Sequence, residues 1–465
     1  MEAAYGERAG EVATELAVHF EQGREYRRAI GYLQRAGENA LQRSAHQEAI
    51  THFTKGLELL KTLPNTSERT QSELALRIIL GAPLIATKSY GAPEVEETFA
   101  RAREICQRIG EVPQLFPVLL GLCVFHLVRG ELQMAWELGE QLQRLSQSVH
   151  NPVFSLLTHY AQGPILFWLG EFAPARAHLE QAITLYNAQP SNSPSFPAGQ
   201  DPGVACLSYA ALVSWFLSYP DQALKRSAEA LALAQKLSHP QSLAVALNFS
   251  ALVRRNRRER QETQKLTKAL VTLADEQGFP YWSAVGKTSL GWVLATQGQV
   301  EDGILQLQIS QAAYRTVGIK VGWPYSFAIL AEAYGKARQV EEGLSVLAEA
   351  FTLARSTGEC CYEAELCRLK GHLTLQSKVQ GSKSKVSNPQ FEEAEDCFQQ
   401  ALTIARRQQA KSLELRAAVS LGQLWKQQGK KKQAYTMLAD VYDWFTEGFD
   451  TPDLQDARAL LTTLA

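Results

Sequence analysis

Large and small apolar residues alternate regularly in the stretch Phe327–Ala350. Leu330 is followed by the small residue Ala331, and twelve positions later a second small residue, Gly343, is followed by Leu347. Apolar residues three and four positions apart lie on one face of a helix, and small residues allow two helices to approach closely. The pattern therefore predicts two antiparallel helices packed along this face.

The same pattern recurs along most of the chain. The first small position repeats at intervals of 40 residues, except for two steps of 48 and 51 residues, at Cys123, Gly163, Ala211, Ala251, Gly291, Ala331, Gly371 and Gly422. The second follows twelve residues later at Ala135, Ala175, Ala223, Thr263, Gly303, Gly343 and Ala434. Only the pair Gly371 and Ala394 departs from this spacing, which predicts an insertion inside that repeat.

This spacing resembles the tetratricopeptide repeat (TPR), in which small and large residues alternate over two helices. It predicts an all-α, right-handed superhelical solenoid of about 40-residue hairpins, roughly ten or eleven in number. Glycines 130, 170, 298 and 429 fall at the expected turns, where a left-handed residue ends a helix.

The series of small positions divides the chain into three predicted parts. Residues 1–110 form irregular helical repeats, residues 111–450 the regular solenoid, with loops at 187–203 and 376–390, and residues 451–465 a C-terminal capping helix. A helix is expected over Ser67–Leu80 with a connection from Gly81 onward, and Thr451 is expected to cap the last helix. An apolar helix begins soon after Met1 without a polar cap, so we expect another domain to precede it.

Composition excludes several classes of protein. The net charge of −1 over 465 residues argues against a general binder of nucleic acid or of acidic membranes. No apolar run approaches the roughly 20 residues of a membrane span. Seven cysteines, an odd number in a long chain, indicate free and mostly packed thiols in a reducing cytoplasm.

Several short segments strengthen the resemblance. They are Gly199–Cys206, Ala331–Ala337, Glu393–Ala401, Ala410–Ala417 and Trp444–Asp450. Together they look like the C-terminal repeat region of large bacterial signalling proteins, in which the repeats follow a STAND-type ATPase module. Many members of that family also carry a class III adenylate/guanylate cyclase domain or a protein kinase domain. The resemblance implies a sensor or interaction region; the family's catalytic residues have no matching positions here.

Two motifs were weighed for chemistry of their own. Gly286-Lys287-Thr288 lacks the preceding glycine of a phosphate loop, since Tyr281 stands there, and its surroundings predict a helix surface. The Cys/His cluster at residues 360, 361, 367 and 372 lacks the paired spacing of a zinc site. No catalytic, metal or cofactor site is therefore predicted, and the chain is not expected to be an enzyme.

A basic run occurs at Arg254, Arg255, Arg257, Arg258 and Arg260. A solvated corner between two helices is the main interpretation, and a site for an anionic partner or nucleic acid is the alternative.

The first helix of each TPR hairpin lines the concave groove, so fixed offsets from the small residue select groove positions. They give Tyr160, Phe167, Trp168, Trp215, Phe216, Asn248, Arg255, Trp292 and Glu332, and one further offset adds Tyr325. Recurring aromatic residues are typical of binding hot spots, although such rings also pack between neighbouring helices. The predicted occupant is a protein or peptide partner or an adjacent domain; the alternative is a small-molecule inducer.

Overall fold

The protein is almost entirely helical, as the spacing predicts. A computed structural model describes residues 10–110, 112–189, 199–377 and 389–465, and within these ranges it contains 22 α-helices and no strand. The first eleven are α1 (Ala13–Gln22), α2 (Tyr26–Gln42), α3 (His46–Leu60), α4 (Ser67–Lys88), α5 (Pro93–Ile109), α6 (Val112–Val128), α7 (Leu132–Val149), α8 (Pro152–Trp168), α9 (Phe172–Asn187), α10 (Pro202–Phe216) and α11 (Pro220–Leu237). The others are α12 (Pro240–Asn256), α13 (Arg260–Gln277), α14 (Pro280–Thr296), α15 (Val300–Thr316), α16 (Trp323–Lys336), α17 (Val340–Thr357), α18 (Glu363–Gln376), α19 (Pro389–Arg407), α20 (Lys411–Gln427), α21 (Lys431–Tyr442) and α22 (Pro452–Leu464).

Successive helices form the hairpins of a right-handed TPR-like solenoid, and the small positions lie where the two helices of a hairpin touch. A methyl group placed on Gly291 would lie 2.6 Å from Leu307 Cγ and 3.0 Å from the carbonyl oxygen of Gly303. Cys123 Sγ donates to the carbonyl oxygen of Ala135 at 3.5 Å. The predicted small positions therefore mark where the two helices of a hairpin approach each other most closely.

Several hairpin turns of the described residues contain one residue with positive φ. Gly130, Gly170, Gly298 and Gly429 have φ of 71°, 80°, 94° and 78°. This confirms the prediction for these glycines, because a residue without Cβ enters the left-handed region at no steric cost. Arg258, with φ of 61°, takes the same conformation at the corresponding turn.

Consecutive turns of the superhelix touch each other along a seam. The backbone N–H groups of Lys320 and Val321 donate to the carbonyl oxygen of Val128 at 3.0 and 3.1 Å, and Cys360 N–H donates to Trp168 O at 2.9 Å. Carbonyl oxygens at the ends of first helices are thus satisfied by segments that lie 192 residues further along the chain. The superhelix is consequently tight, and the next turn covers much of its inner face.

Two local predictions are corrected by the structure. The helix predicted over Ser67–Leu80 continues to Lys88, since Gly81 packs so closely under the ring of Phe99 that a Cβ there would lie 2.2 Å from Phe99 Cζ. Thr451 precedes α22, but its hydroxyl donates to Gly448 O at 2.7 Å and does not cap the helix.

The two predicted loops fall largely at residues 190–198 and 378–388, which lie outside the described residues. In the part of the chain that the structure covers, no helix combines the length and apolar character needed to cross a membrane.

Candidate functional site

The inner face of the C-terminal half encloses a cavity of about 370 Å³. Its walls come from the first helices of five consecutive hairpins, α12, α14, α16, α18 and α20, and α22 closes one side. On each first helix, the residues at fixed offsets from the small position lie on the concave face. Their side chains therefore point toward this shared space. The size falls within the range of ordinary ligand sites, roughly 300–1,000 Å³.

Most charges in the cavity wall are paired. The charged lining residues are Arg255, Arg258, Arg260, Lys336, Arg368 and Arg416 on the positive side and Glu332, Glu365, Asp453 and Asp456 on the negative side. Six cationic groups thus face four carboxylates, an excess of two positive charges.

Arg416 links three helices at the centre of this wall. Its Nε donates to Asp453 Oδ2 at 2.8 Å, its Nη2 donates to Asn256 O at 2.6 Å, and its guanidinium lies 4.9 Å from the ring centroid of Trp215. Burial opposes the charge, but Asp453 and Glu365 outweigh burial and raise the pKa of Arg416. This side chain is therefore fully engaged in holding α20, α22 and α12 together.

Glu365 and Arg368 form a buried ion pair on α18. Arg368 donates through Nε and Nη2 to the two carboxylate oxygens at 2.8 and 2.6 Å. Burial disfavours the carboxylate, yet Arg368 and then Arg416 lower the pKa of Glu365 to about 2. Both partners stay ionised at neutral pH and neutralise each other.

His372, one turn further along α18, is neutral. Its Nε2 lies 2.9 Å from Ser420 Oγ, and Ser420 itself donates to Arg416 O at 2.9 Å. Burial, followed by the charge of Arg368, lowers the pKa of His372 to about 4. The imidazole therefore adds a polar group to the wall and no charge at neutral pH.

Arg255 differs from the other buried arginines of the cavity. It is 3% exposed, and no carboxylate of the described residues lies within 4.0 Å of it. Its Nη1 donates to Ser289 Oγ at 3.5 Å, and the buried Nε has no partner in the described structure. The guanidinium lies 4.6 Å from the ring centroid of Tyr325. A buried cation without an anion is unfavourable unless a ligand supplies one.

Arg255 has neutral neighbours in Tyr325, Tyr362 and Asn256. Tyr325 stacks on Tyr362 with centroids 3.6 Å apart, and burial raises the pKa of both hydroxyls although Arg255 opposes part of that rise. Tyr325 Oη donates to Asn256 Oδ1 at 3.3 Å, and Asn256 Nδ2 is buried without an acceptor in the described part of the chain. Two adjacent residues of α12 thus present donors that lack partners.

Four of the ten predicted groove residues line the cavity: Arg255, Trp292, Tyr325 and Glu332. Trp292 is 8% exposed and forms an apolar part of the wall. Glu332 is half-buried and pairs with Lys336 at 2.8 Å. Tyr325 lies beside Arg255, as described above. These four remain the proposed ligand-contacting residues.

The other six predicted groove residues pack inside the solenoid. Phe167 and Phe216 are completely buried, Trp215 is 2% exposed, and the half-buried Trp168 donates from Nε1 to Tyr209 Oη at 3.3 Å. Tyr160 and Asn248 are also buried, as the remaining members of this set. Ser412 of the following superhelical turn donates to Trp215 O at 2.5 Å. The following turn covers this part of the inner face.

A network of polar side chains fills the inner face around Tyr160. Gln241 Nε2 donates to Tyr90 Oη at 3.0 Å, Tyr90 Oη donates to Gln200 Oε1 at 2.7 Å, and Gln200 Nε2 donates to Tyr160 Oη at 2.8 Å. Only about 50 Å³ of space remains beside this network. This region holds the helices together and leaves little room for a ligand.

The groove offsets also identify lining residues that the prediction omitted. Three residues before and one residue after the small position, applied to Gly371, give Arg368 and His372. The same offsets applied to Gly422 give Val419 and Gln423. All four line the cavity. The same offsets from the small positions therefore select these four lining residues in the sequence, although none of them is Phe, Tyr or Trp.

The basic run is not the solvated corner that was predicted. Arg257 is 3% exposed and donates to Glu259, Asp221 and Asp450 at 2.6, 3.2 and 3.3 Å. Arg258 is exposed but reaches Asp453 and Asp456 at 3.2 and 2.6 Å. The solvated interpretation fails because the next superhelical turn brings acidic residues onto this corner.

The other two motifs contain side chains that bond to neighbouring residues. Gly286-Lys287-Thr288 lies within α14, where Thr288 donates to Ala284 O at 3.3 Å and to Ser310 Oγ at 3.1 Å. Cys361 is buried and donates to Glu359 Oε1 at 3.8 Å. Across the residues that the structure covers, no group of three or more His, Cys, Asp or Glu side chains is arranged to hold a metal ion.

Comparison with known proteins identifies relatives of low identity. No family model matches the chain. An uncharacterized protein of Rhizobium meliloti (strain 1021) is 23% identical over 367 residues, which cover 77% of this chain and 35% of that protein. The chain thus spans about a third of the length of the curated relative it matches.

One solved structure supports the solenoid fold, and others match less closely. The Rap protein complexed with competence and sporulation factor matches with a TM-score of 0.56 at 13% identity, over 85% of this chain and 100% of that one. A STAND protein with a tetratricopeptide repeat sensor from Pyrococcus horikoshii gives 0.44 at 15% identity, over 85% and 55%, and yeast Tom70 gives 0.38 at 12% identity, over 98% and 96%. At these identities the comparison with the Rap protein supports the solenoid fold and nothing finer.

Proposed function

We propose that this chain is a non-catalytic binding module whose cavity between α12 and α22 takes a segment of a protein or peptide partner. The observation that carries this proposal is the cavity of about 370 Å³ at the concave positions of five first helices. The Rap protein of similar fold was solved in complex with competence and sporulation factor, which is consistent with this use of a solenoid.

The module belongs, in this proposal, to a larger cytoplasmic bacterial signalling protein with a STAND-type ATPase and, in some relatives, a cyclase or kinase domain. The motif resemblance supports this context, and so does the greater length of the similar Rhizobium meliloti protein. The purified chain is then expected neither to hydrolyse ATP nor to form cyclic nucleotides. Turnover that co-purifies with the chain through every step and is lost when Arg368 is replaced would contradict this expectation.

The volume of the cavity also favours a second candidate, a small-molecule inducer. About 370 Å³ lies near the lower end of the range for sites that bind drug-sized ligands. The α22 helix closes one side of the space, so a compact ligand fits it as well as a short peptide segment does.

A pair of matched variants tests where partners bind. Thr296 lines the cavity and bonds back to Trp292 O at 3.0 Å, while exposed Thr403 bonds back to Gln399 O at 2.9 Å on α19. Thr296→Trp narrows the cavity, and Thr403→Trp adds the same ring to the outer surface. Peptides selected from a random displayed library on the full chain are then titrated calorimetrically into each protein.

We expect Thr296→Trp to weaken binding by about tenfold or more, as for the loss of roughly 1.4 kcal/mol, and Thr403→Trp to leave it unchanged. Equal affinity for both variants and the wild type would place the peptides elsewhere and overturn the proposal. If no peptide binds but a metabolite raises the Tm of wild type and Thr403→Trp alone, the second candidate replaces the first.

A further inference from the structure

The cavity wall contains one buried cation, Arg255, that has no carboxylate within 4.0 Å among the described residues. Arg368 and Arg416, whose side chains are 17% and 16% exposed, are each paired with a carboxylate at 2.8 Å or less. Arg255 is 3% exposed and, among the described residues, has a single 3.5 Å hydrogen bond to a serine hydroxyl. Ionised arginine does not lose its proton in proteins, so this charge persists.

Unsatisfied donors accompany this charge. Arg255 Nε and Asn256 Nδ2 are both buried without an acceptor in the described residues, and both residues line the same cavity. Buried N–H groups normally have partners, and leaving them without partners is unfavourable. A ligand that carries an anionic oxygen acceptor would satisfy the charge and the donors together.

The ring of Tyr325 holds the guanidinium in place. It lies 4.6 Å from Arg255 and is itself held by Tyr362, which stacks 3.6 Å away. A planar guanidinium fixed on an aromatic face presents its donors in one direction and recognises a carboxylate through two parallel bonds. Trp292 adds an apolar wall to the same space.

We propose that the cavity binds a ligand with a carboxylate group, which Arg255 and Asn256 recognise. The proposal rests on the proposed function and specifies the chemistry of its ligand. A single negative charge is favoured because Arg255 is the one buried cation of the lining without a carboxylate among the described residues, whereas Arg260 lies exposed at the rim. A peptide C-terminus and a free organic acid share this group, and the experiment separates them.

The test uses the full chain and matched probes. Pools of acetylated tripeptides are prepared with a free C-terminal carboxylate or with a C-terminal amide, and succinate and glutamate represent free acids. The Tm is measured with each probe for the wild type, Arg255→Met, Arg255→Lys and Arg315→Gln. Arg315 is exposed on α15 outside the cavity, so its replacement controls for the loss of one positive charge.

We expect the carboxylate pool or the free acids to raise the Tm of the wild type and of Arg315→Gln, and the amide pool to have no effect. Binding should weaken about 10- to 100-fold in Arg255→Met, the range for a lost hydrogen bond to a charged group. Arg255→Lys keeps the charge without the planar donors and should lie between. A response to the tripeptide acids alone identifies a chain terminus, and a response to succinate or glutamate identifies a free acid.

The stability of the free protein gives an independent readout. Arg255→Met removes an unpaired buried charge and retains an apolar chain over Tyr325, so its Tm should equal or exceed that of the wild type. A lower Tm would show that the arginine serves packing, and it would overturn the inference.

Two further results contradict the inference. Equal shifts from acid and amide pools would do so, as would undiminished acid binding by both Arg255 variants. Ligands that Thr296→Trp excludes but Arg255→Met still binds would leave the proposed function standing and remove only this inference. The absence of any ligand that Thr296→Trp excludes would remove both.

Discussion

The inner face of the solenoid is almost filled in one half of the molecule and surrounds a cavity in the other half. Around Tyr160 and Phe167 the following superhelical turn fills the space, and a tyrosine–glutamine network leaves about 50 Å³. Around Arg255 and Tyr325 the same face of the first helices surrounds about 370 Å³ lined with charges. Position on a first helix therefore decides which residues face inward, whereas contact with the next turn decides whether they form core or a binding surface.

The largest expected effect is a difference in stability between two tryptophan variants. Trp215 lies in the filled half, and Trp292 lies at the cavity wall. Trp215→Ala should lower the free energy of unfolding by about 3–5 kcal/mol, because the ring is 2% exposed and packs between Phe216 and Arg416. Trp292→Ala, at the cavity wall, should lower it by less because part of the vacated space is continuous with the cavity. Urea unfolding of both variants measures this. Equal losses would mean that the cavity wall is ordinary core.

Ion pairs contribute to the contact between superhelical turns, and replacement of Arg257 measures how much stability they add. Arg257→Met should destabilise the protein by about 1–3 kcal/mol, since three carboxylates lose a buried partner but Asp221 and Asp450 are 54% and 75% exposed and can be hydrated. Arg254→Met is the matched control, because Arg254 pairs only with the nearby Glu259. Losses of the same size in the two variants would show that contact between superhelical turns adds nothing.

The repeats themselves could be predicted because their signal is local. The twelve-residue spacing of Gly291 and Gly303 reports a backbone approach inside one hairpin, and the structure places them in contact. Whether an inner-face residue is covered depends on residues that lie far along the chain. Ser412, which donates to Trp215 O, and Asp450, one of three acceptors around Arg257, lie 197 and 193 residues further along the chain, and the small rotations of each repeat accumulate over that distance.

The candidate site shows the same limit. The groove offsets select Arg255, Trp292 and Glu332, which line one cavity, and they select Trp215 on the same face. No pattern near Trp215 indicates that Ser412 and Arg416 will cover it, because these residues belong to the following turn. The acidic residues of α22 that meet Arg258 are likewise invisible from the basic run alone.

Two of the small positions should respond differently to one added methyl group. Gly291→Ala should cost about 1–3 kcal/mol, because the new Cβ would meet Leu307 Cγ at 2.6 Å and the backbone of Gly303 at 3.0 Å. Gly422→Ala meets only flexible side-chain ends, Leu460 Cδ2 at 3.3 Å and Met437 Cε at 3.9 Å, and gains helix propensity of up to about 1 kcal/mol. Thermal unfolding of the two variants checks the sign of each change.

The last expected effect depends on pH and concerns two buried carboxylates six residues apart. Glu365, in the cavity, has arginine partners, whereas Glu359, at the seam, has none: its Oε2 accepts the Gly322 N–H at 2.9 Å and its Oε1 accepts from the Cys361 thiol. Burial raises the pKa of Glu359 to about 8 from 4.5. The folded protein therefore holds this proton more tightly than the unfolded chain, and stability is lost as the pH rises from about 4.5 through about 8.

Replacement by glutamine should remove this dependence while an amide oxygen still accepts from Gly322. We expect Glu359→Gln to gain stability over the wild type by about 1 kcal/mol per pH unit between about pH 5 and pH 7. Glu365→Gln should show the opposite dependence of stability on pH. The folded pKa of Glu365, about 2, lies below the ordinary value of 4.5, so the stability that the ionised carboxylate contributes is lost only as the pH falls from about 4.5 to about 2. Urea unfolding across the pH range measures both. A difference between wild type and Glu359→Gln that stays constant with pH would show that Glu359 is ionised in the fold, and that the seam, like the cavity, stabilises a buried carboxylate.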